Sequence, residues 1–316
     1  MTTTMRALAP APDGRMQLVQ VPIPSPGPGR IFVEVKVSAV NEMDVQVRAG
    51  GWGPQVKRFR KTGPVVTGFE FAGVARSDGA RIKVGDRVIG YVHVLDGPRV
   101  HADFACVAEA DMQVIPPDLN DEDAAALVVM GLTAIEILER LKRLSVGQRC
   151  LVIGAAGGVG AYAVQLARSQ GASVGAVCSS ANAGWVESLG ATEIRPYESE
   201  PRYRPGDRFD LVIDCPAKFS FREAAPCLAK DGMYVTTNPL ADAAGFARAA
   251  LTSRKAGYLM MLTTTPAKLS RLVELHGQGA LRPVIDGVFD MEDADAAFDR
   301  FETRGKQGRV LLKISS

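Results

Sequence analysis

The pattern of apolar and polar positions changes character twice along the chain. From Arg30 to Val40, "RIFVEVKVSAV" alternates and is rich in β-branched residues, the period of a half-buried strand. "VVTGFEFAGVARSDG" (65–79) and "RIKVGDRVIGYVHV" (81–94) are short apolar runs broken by glycine, while "VPIPSPGPGR" (21–30) must extend or turn. Many short strands with frequent turns predict a partly open β-barrel over roughly the first 115 residues. The texture breaks at Pro116-Pro117. "NDEDAAALVVMGLTAIEILERL" (120–141) then reads as a helix, with acidic residues in its first turn where the helix dipole favours them. From Gln148, strand-like and helix-like segments alternate: "CLVIG", "SVGAVC", "FDLVIDC", "GMYVTT" and "GYLMML" are separated by helical runs. Such alternation predicts βαβ units and a doubly wound parallel sheet. After Thr263, the helix "PAKLSRLVELHGQGAL" and short strands including "GRVLLKI" are expected to return to the first domain.

Chemistry concentrates first at "LVIGAAGGVGAYAVQLARSQGA", Leu151 to Ala172. Gly154, Gly157 and Gly160 form G-x-x-G-x-x-G, with Gly158 as an extra and Ala156 and Val159 between them. A strand precedes the turn and a helix follows it. Bare backbone there lets a pyrophosphate approach the amides at the helix start, and a third glycine lets the helix pack close to the strand. In an NAD site, an Asp or Glu about 20 residues on meets the ribose 2′-hydroxyl. Here "AVCSSANAGW" (176–185) holds no carboxylate, and the first one is Glu187. Ser179 and Ser180 leave room for a 2′-phosphate, which predicts NADPH over NADH. Arg195 and Tyr197 are the nearest residues to help, since no Lys or Arg lies between Gly171 and Ile194. The two serines also suit a helix cap, a role compatible with binding.

Charge and composition narrow the class. Lys and Arg number 37 against 35 acidic residues, so nothing favours nucleic acid or an anionic membrane surface. The five cysteines are scattered, which suggests reduced thiols in a cytoplasm. "MTTTMRALAPAPDGR" lacks the apolar core of a signal peptide, and the longest uncharged apolar run, Ala124 to Ile135, is too short to span a bilayer.

"GFEFAGVA…VGDRVIGY", "LVVMGLTAIEIL", "GAAGGVGAYAVQLAR", "LGATEI" and "LRPVIDGVFDMEDADAAFDRFETRGKQGRVLLKI" together resemble the medium-chain dehydrogenase/reductase superfamily, in order and over nearly the whole chain. The resemblance implies a GroES-like catalytic domain from residues 1–117 and 264–316 around a Rossmann cofactor domain at 118–263. Zinc-dependent members carry Gly-His-Glu, and this chain reads Gly68-Phe69-Glu70. The upstream zinc cysteine is missing from "VNEMDV", and the region from Val92 to Cys106 holds one cysteine where a structural zinc needs four. His93, His101 and His276 stand at no recognisable ligand spacing. The chain is therefore similar to the zinc-free quinone oxidoreductase branch, which also contains enoyl reductases, and no zinc is expected.

Within that branch, Asn41-Glu42-Met43-Asp44 matches a segment in which the Asn approaches the nicotinamide and the reacting carbonyl. Asn41 and Asp44 equally suit a turn cap. By the same resemblance Thr133 stands beside the nicotinamide and Tyr197 beside the adenosine phosphate, and a cation that often meets the 2′-phosphate aligns with Ala181 or Asn182. Thr237 and Asn238 are counted among the cofactor contacts. Gln46 and Trp52 occupy the places of a tyrosine sometimes proposed as proton donor, so the enolate's proton is expected from water or from a residue such as Tyr91, an ordinary core residue on the blander view. The expected reaction is hydride transfer to a quinone or to the β-carbon of an α,β-unsaturated carbonyl, with hydrogen-bond donors, Asn41 first, stabilising the enolate. "RAGGWGPQVKRFRKTGP" (48–64) lines the expected substrate cleft with Arg48 and Trp52, and also carries Lys57, Arg58, Arg60 and Lys61. That stretch is either a solvated loop or a dock for a carrier protein or a coenzyme A thioester. "GYLMML" (257–262) is apolar enough to join two subunits through a shared sheet edge, which predicts a homodimer. The competing expectations are an enoyl reductase of secondary metabolism and a non-catalytic NADPH-binding protein, as in the structural role of lens zeta-crystallins.

Overall fold

A computed structural model of the chain describes residues 3–51, 63–237, 242–259 and 263–315. The first half is built from β1 (Thr4–Pro10), β2 (Met16–Pro22), β3 (Arg30–Ala39), α1 (Glu42–Arg48), β4 (Glu70–Ala75), β5 (Arg87–Tyr91), β6 (Phe104–Ala108) and β7 (Met112–Val114). Helix α2 (Asp121–Ile135) follows and continues as a wider π turn over Glu136–Leu141. Then come β8 (Arg149–Ile153), α3 (Gly158–Ser169), β9 (Ser173–Cys178), α4 (Ala183–Ser188), β10 (Glu193–Pro196), β11 (Phe209–Asp214), α5 (Phe221–Ala224), β12 (Leu228–Thr236), α6 (Ala243–Ala249) and β13 (Lys255–Tyr258). The chain closes with α7 (Pro266–Gly277), β14 (Ile285–Asp290), α8 (Ala294–Glu302) and β15 (Arg309–Lys313).

Two large sheets result, and they are those of a GroES-like, partly open β-barrel and a Rossmann domain. In the first, the order is β14-β15-β3-β4-β5-β7, with β6 also paired to β3. The alternation of β3 does what its sequence predicts. Ile31, Val33 and Val35 pack with Phe71, Val88, Phe298 and Leu312, and Arg30, Glu34 and Lys36 share the other face with Phe32. The last strand returns to this sheet from the far end of the chain, with Leu311 opposite Ala39. The second sheet is wholly parallel in the order β10-β9-β8-β11-β12-β13, so its first strand, β8, lies between its second and fourth. The topological switch point, where ligands bind in open α/β sheets, therefore falls beyond the C-terminal end of β8. Strand β13 is an edge, and the rest of the run expected to pair subunits, Met260 to Leu262, lies outside the described residues.

Helix α2 joins the two sheets. From Ala124 to Ile135 only Met130 escapes full burial, as expected of a helix that is apolar on every side. Asn120 caps it by accepting from the Asp123 amide at 2.8 Å. One apolar core includes Val37, Phe69 and Ile89 from the first sheet, Leu127 and Leu132 from α2, and Val152 and Ile213 from the second. Among the described residues, no helix is long and apolar enough to cross a membrane.

Candidate active site

The glycine turn leaves β8 at Ile153. Gly154 adopts φ +76°, in the region that side chains avoid, and a Cβ there would stand 2.9 Å from Pro216 Cδ. Gly160 has a different reason to be bare. Its Cβ would lie 2.2 Å from the Gly154 carbonyl oxygen and 2.8 Å from Ala155 Cα, so the third glycine sets how closely α3 packs on the strand. Gly157 donates to the Gly154 carbonyl at 3.0 Å and precedes the helix. Ala156 accepts from the Gly308 amide at 3.2 Å, and Val159 packs against the shared core. A Cβ at Gly158 would meet Met130 Cγ at 3.0 Å and Arg309 Cδ at 3.5 Å, so the start of α3 abuts the other sheet. First-turn amides of a helix lack intrahelical partners and favour an anion.

At the end of β9, the Ser179 hydroxyl is buried and has no hydrogen-bond partner. The amide and hydroxyl of Ser180 both donate to Glu198 Oε2, at 3.1 and 3.3 Å. Tyr197 is 54% exposed, with its amide on the Cys178 carbonyl at 3.0 Å. An orphan hydroxyl beyond the second strand and a turn cleared of side chains beyond the first fit a dinucleotide. Other expected contacts have protein partners. Asn182 is buried and accepts from Gln307 Nε2 at 3.0 Å, and Thr237 donates to the Cys215 carbonyl at 3.0 Å. Asn238 lies outside the described residues. Arg195, the nearest cation expected for a 2′-phosphate, is 1% exposed and engaged elsewhere. Its guanidinium donates to Asp207 at 2.6 and 2.9 Å and to Glu193 at 3.0 Å.

Facing the start of α3 is a buried polar cluster. Asn41, at the N-cap of α1, donates through Nδ2 to Glu70 Oε1 at 2.9 Å and to the Ala39 carbonyl at 3.2 Å. Its Oδ1 accepts from Arg309 Nη2 at 3.1 Å, and the same guanidinium is ion-paired to Glu70. Glu70 Oε2 accepts from the Val129 amide at 2.5 Å, which ties α2 to the cluster. Asp44 accepts from the amides of Asn41 at 3.0 Å and Gly68 at 2.7 Å. Burial drives its pKa up, to about 7, despite those donors. Burial also raises Glu70, against the pull of Arg309. Both amide hydrogens of Asn41 are thus held by protein acceptors.

Tyr91 pairs with Glu70 across β4 and β5 and is fully buried. Burial, then the charges of Glu70 and Asp44, push its phenol well above its ordinary value. Thr133 donates back along α2 to the Val129 carbonyl at 2.7 Å. Arg48 pairs with Asp299 at 3.4 Å and with Glu302, stacks over Phe298, and so pins α1 to α8. Trp52, Lys57, Arg58, Arg60 and Lys61 lie outside the described residues. Glu70 and Arg309 were not singled out as site residues from sequence. Each is a charge inside an apolar strand run, "GFEFAGVA" and "GRVLLKI", and a charge so placed needs a buried partner.

A zinc ion does not fit. Phe69 is packed into the core where zinc-dependent relatives carry histidine, and among the described residues no three His, Cys, Asp or Glu side chains gather to hold a metal. The residues outside the description include none of these four types.

A glycine-turn Rossmann sheet set against a GroES-like barrel is the build of a medium-chain dehydrogenase/reductase. Two family profiles agree: "Alcohol dehydrogenase GroES-like domain" matches residues 27–114 and "Zinc-binding dehydrogenase" matches residues 189–312. The chain is 31% identical to a 2-methylene-furan-3-one reductase of Solanum lycopersicum, over 90% of this chain and 71% of that one. It is 28% identical to a chloroplast envelope quinone oxidoreductase homolog of Arabidopsis thaliana, over 94% of each. The solved quinone oxidoreductase of Coxiella burnetii superposes with a TM-score of 0.88 at 25% identity, over 99% of this chain and 100% of that one. The chain belongs to the medium-chain dehydrogenase/reductase superfamily, among its quinone oxidoreductase-like members. It is an oxidoreductase by descent, and its family implies a nicotinamide cofactor.

Proposed function

We propose that the protein is a reductase that passes hydride from a reduced nicotinamide dinucleotide to a quinone or to the β-carbon of an α,β-unsaturated carbonyl. The observation that carries this reading is the contact between the start of α3 and Arg309. The Nε–H of Arg309 is buried without a partner, one bond from the Cδ that would lie 3.5 Å from any Cβ added at Gly158. A phosphate at the helix start satisfies that donor together with the first-turn amides. The same guanidinium reaches Asn41 and Glu70, so phosphate binding and the cleft wall share one side chain.

When bound, the reduced nicotinamide supplies the hydride. The protein positions and excludes water. Gly154, Gly157 and Gly158 admit the linking phosphates, and Asn41, held by Glu70 and Arg309, fixes the wall where the acceptor meets the ring. Tyr91 is fully buried beside Glu70, and in this reading water supplies the proton on the product. The identity of the coenzyme divides at its 2′ position. Ser179 and Ser180 offer hydroxyls to the 2′-phosphate of NADPH, whereas Glu198 opposes its charge. In this reading a homodimer would pair through the β13 edge.

The test is coenzyme oxidation by the full chain with a benzoquinone, a free enone and an enoyl-coenzyme A thioester as acceptors. Turnover with quinone or enone is expected. Turnover confined to the thioester moves the substrate to a carrier-bound enoyl group. Tight coenzyme binding without turnover of any acceptor makes the chain a binding protein, and failure to bind either coenzyme removes the reading altogether.

A further inference from the structure

The end of β9 carries no acid, and the turn that follows β10 places one beside it. In a strand–glycine turn–helix unit, the adenosine ribose is read by a carboxylate at the end of the second strand. Here that strand ends in Cys178-Ser179-Ser180. β10 runs parallel beside it with Pro196 opposite Cys178, so the residues after Pro196 emerge level with the two serines. Tyr197 is tied to the Cys178 carbonyl, and Glu198 turns back across the strand ends. Its Oε2 accepts from both the amide and the hydroxyl of Ser180. A carboxylate has about four acceptor positions. Ser180 fills two of them, and the rest suit the hydroxyl pair of an unmodified ribose.

The segments that carry the two serines and Glu198 bring no free cation of their own. There is no Lys or Arg from Ser169 to Ile194, Ala181 is uncharged, and Arg195 is buried against Asp207 and Glu193. A 2′-phosphate placed beside Ser180 would bring its negative charge against that of Glu198, and although both residues are exposed, like charges at hydrogen-bonding range still repel.

We propose that Glu198 sets the coenzyme preference by accepting from the ribose 2′-hydroxyl and repelling a 2′-phosphate, so that the protein takes NADH rather than the NADPH its serines suggest. This rests on the dinucleotide reading of the glycine turn. Glu198 is a specificity-determining residue. It reaches the site across strands, which is why chain order conceals it.

The test reads binding alone. NADH and NADPH are titrated separately into the full-length protein by calorimetry, with no acceptor present. Wild type is expected to bind NADH at least about tenfold more tightly than NADPH. Glu198→Gln keeps an acceptor for Ser180 and removes the charge. It is expected to strengthen NADPH binding about tenfold and to weaken NADH binding, so that the ratio of the two affinities moves by at least about tenfold. A urea midpoint equal to that of wild type shows that the variant is folded. Ala181→Arg combined with Glu198→Gln is expected to carry the preference over to NADPH. Equal affinity for the two coenzymes in wild type, a preference for NADPH, or a ratio that Glu198→Gln leaves unmoved overturns the role of Glu198 and spares the dinucleotide reading. Absence of heat with both coenzymes overturns the two together.

Discussion

Asp44 shows how one buried side chain makes stability depend on pH. It is fully buried, and its pKa rises from the usual carboxylate value to about 7 because loss of water outweighs the amides of Gly68 and Asn41 and the charge of Arg309. The folded state therefore holds a proton that the unfolded chain releases near pH 3.8. Stability from this group is fully present below that pH, falls as pH rises to about 7, and is level above it. Asp44→Asn removes the titration. Urea midpoints of wild type and variant are expected to draw apart or together steadily between pH 4 and pH 7 and to hold a fixed difference above pH 7, with wild type losing ground as pH rises. A wild-type-to-variant difference that ignores pH across this window refutes the assignment. At this scale the sequence singled out Asn41 and Asp44 either for the site or for a turn cap, and the structure joins them through the Asn41 amide. It missed their partners Glu70 and Arg309, which lie 29 and 268 positions from Asn41.

At the scale of elements, the strand–turn–helix at β8 and α3 was fully legible, because glycine spacing and strand pattern are local properties. Structure separates the glycines by task. Gly154 supplies the left-handed turn, and Gly160 allows close packing of helix on strand. Gly160→Ala puts a methyl carbon into the Gly154 carbonyl, and backbone on both sides leaves it nowhere to go. The variant is expected to lose about 1–3 kcal/mol of stability by denaturant titration. Its coenzyme affinity is expected to fall by about tenfold or more, because the helix start moves away from the phosphates. Unaltered affinity with normal stability would show that α3 has freedom here that the geometry denies. The helix expected over 120–141 is real up to Ile135 and then widens into a π turn over Glu136–Leu141. Apolar periodicity does not distinguish those two windings.

For the molecule as a whole, α2 decides how the sheets behave. It packs on β3, β4, β5 and β15 on one side and on α3 and α7 on the other, and Glu70 holds its Val129 amide. One core runs through both sheets. The two are therefore expected to unfold together: far-UV circular dichroism and tryptophan fluorescence should give the same urea midpoint, with one calorimetric peak. Two resolved transitions would mean that the shared core is not the dominant contact.

Sequence alone determined the element types, the alternation that makes the parallel sheet and the glycine turn. These depend on side chains within a few positions of one another. Tertiary structure decided which charges meet. Arg309 reaches Glu70 and Asn41 from the last strand, Arg195 turns to Asp207, and Glu198 crosses from β10 to Ser180. Strand pairing brings together residues whose separation along the chain carries no trace of the contact, and burial then makes each such charge select its partner.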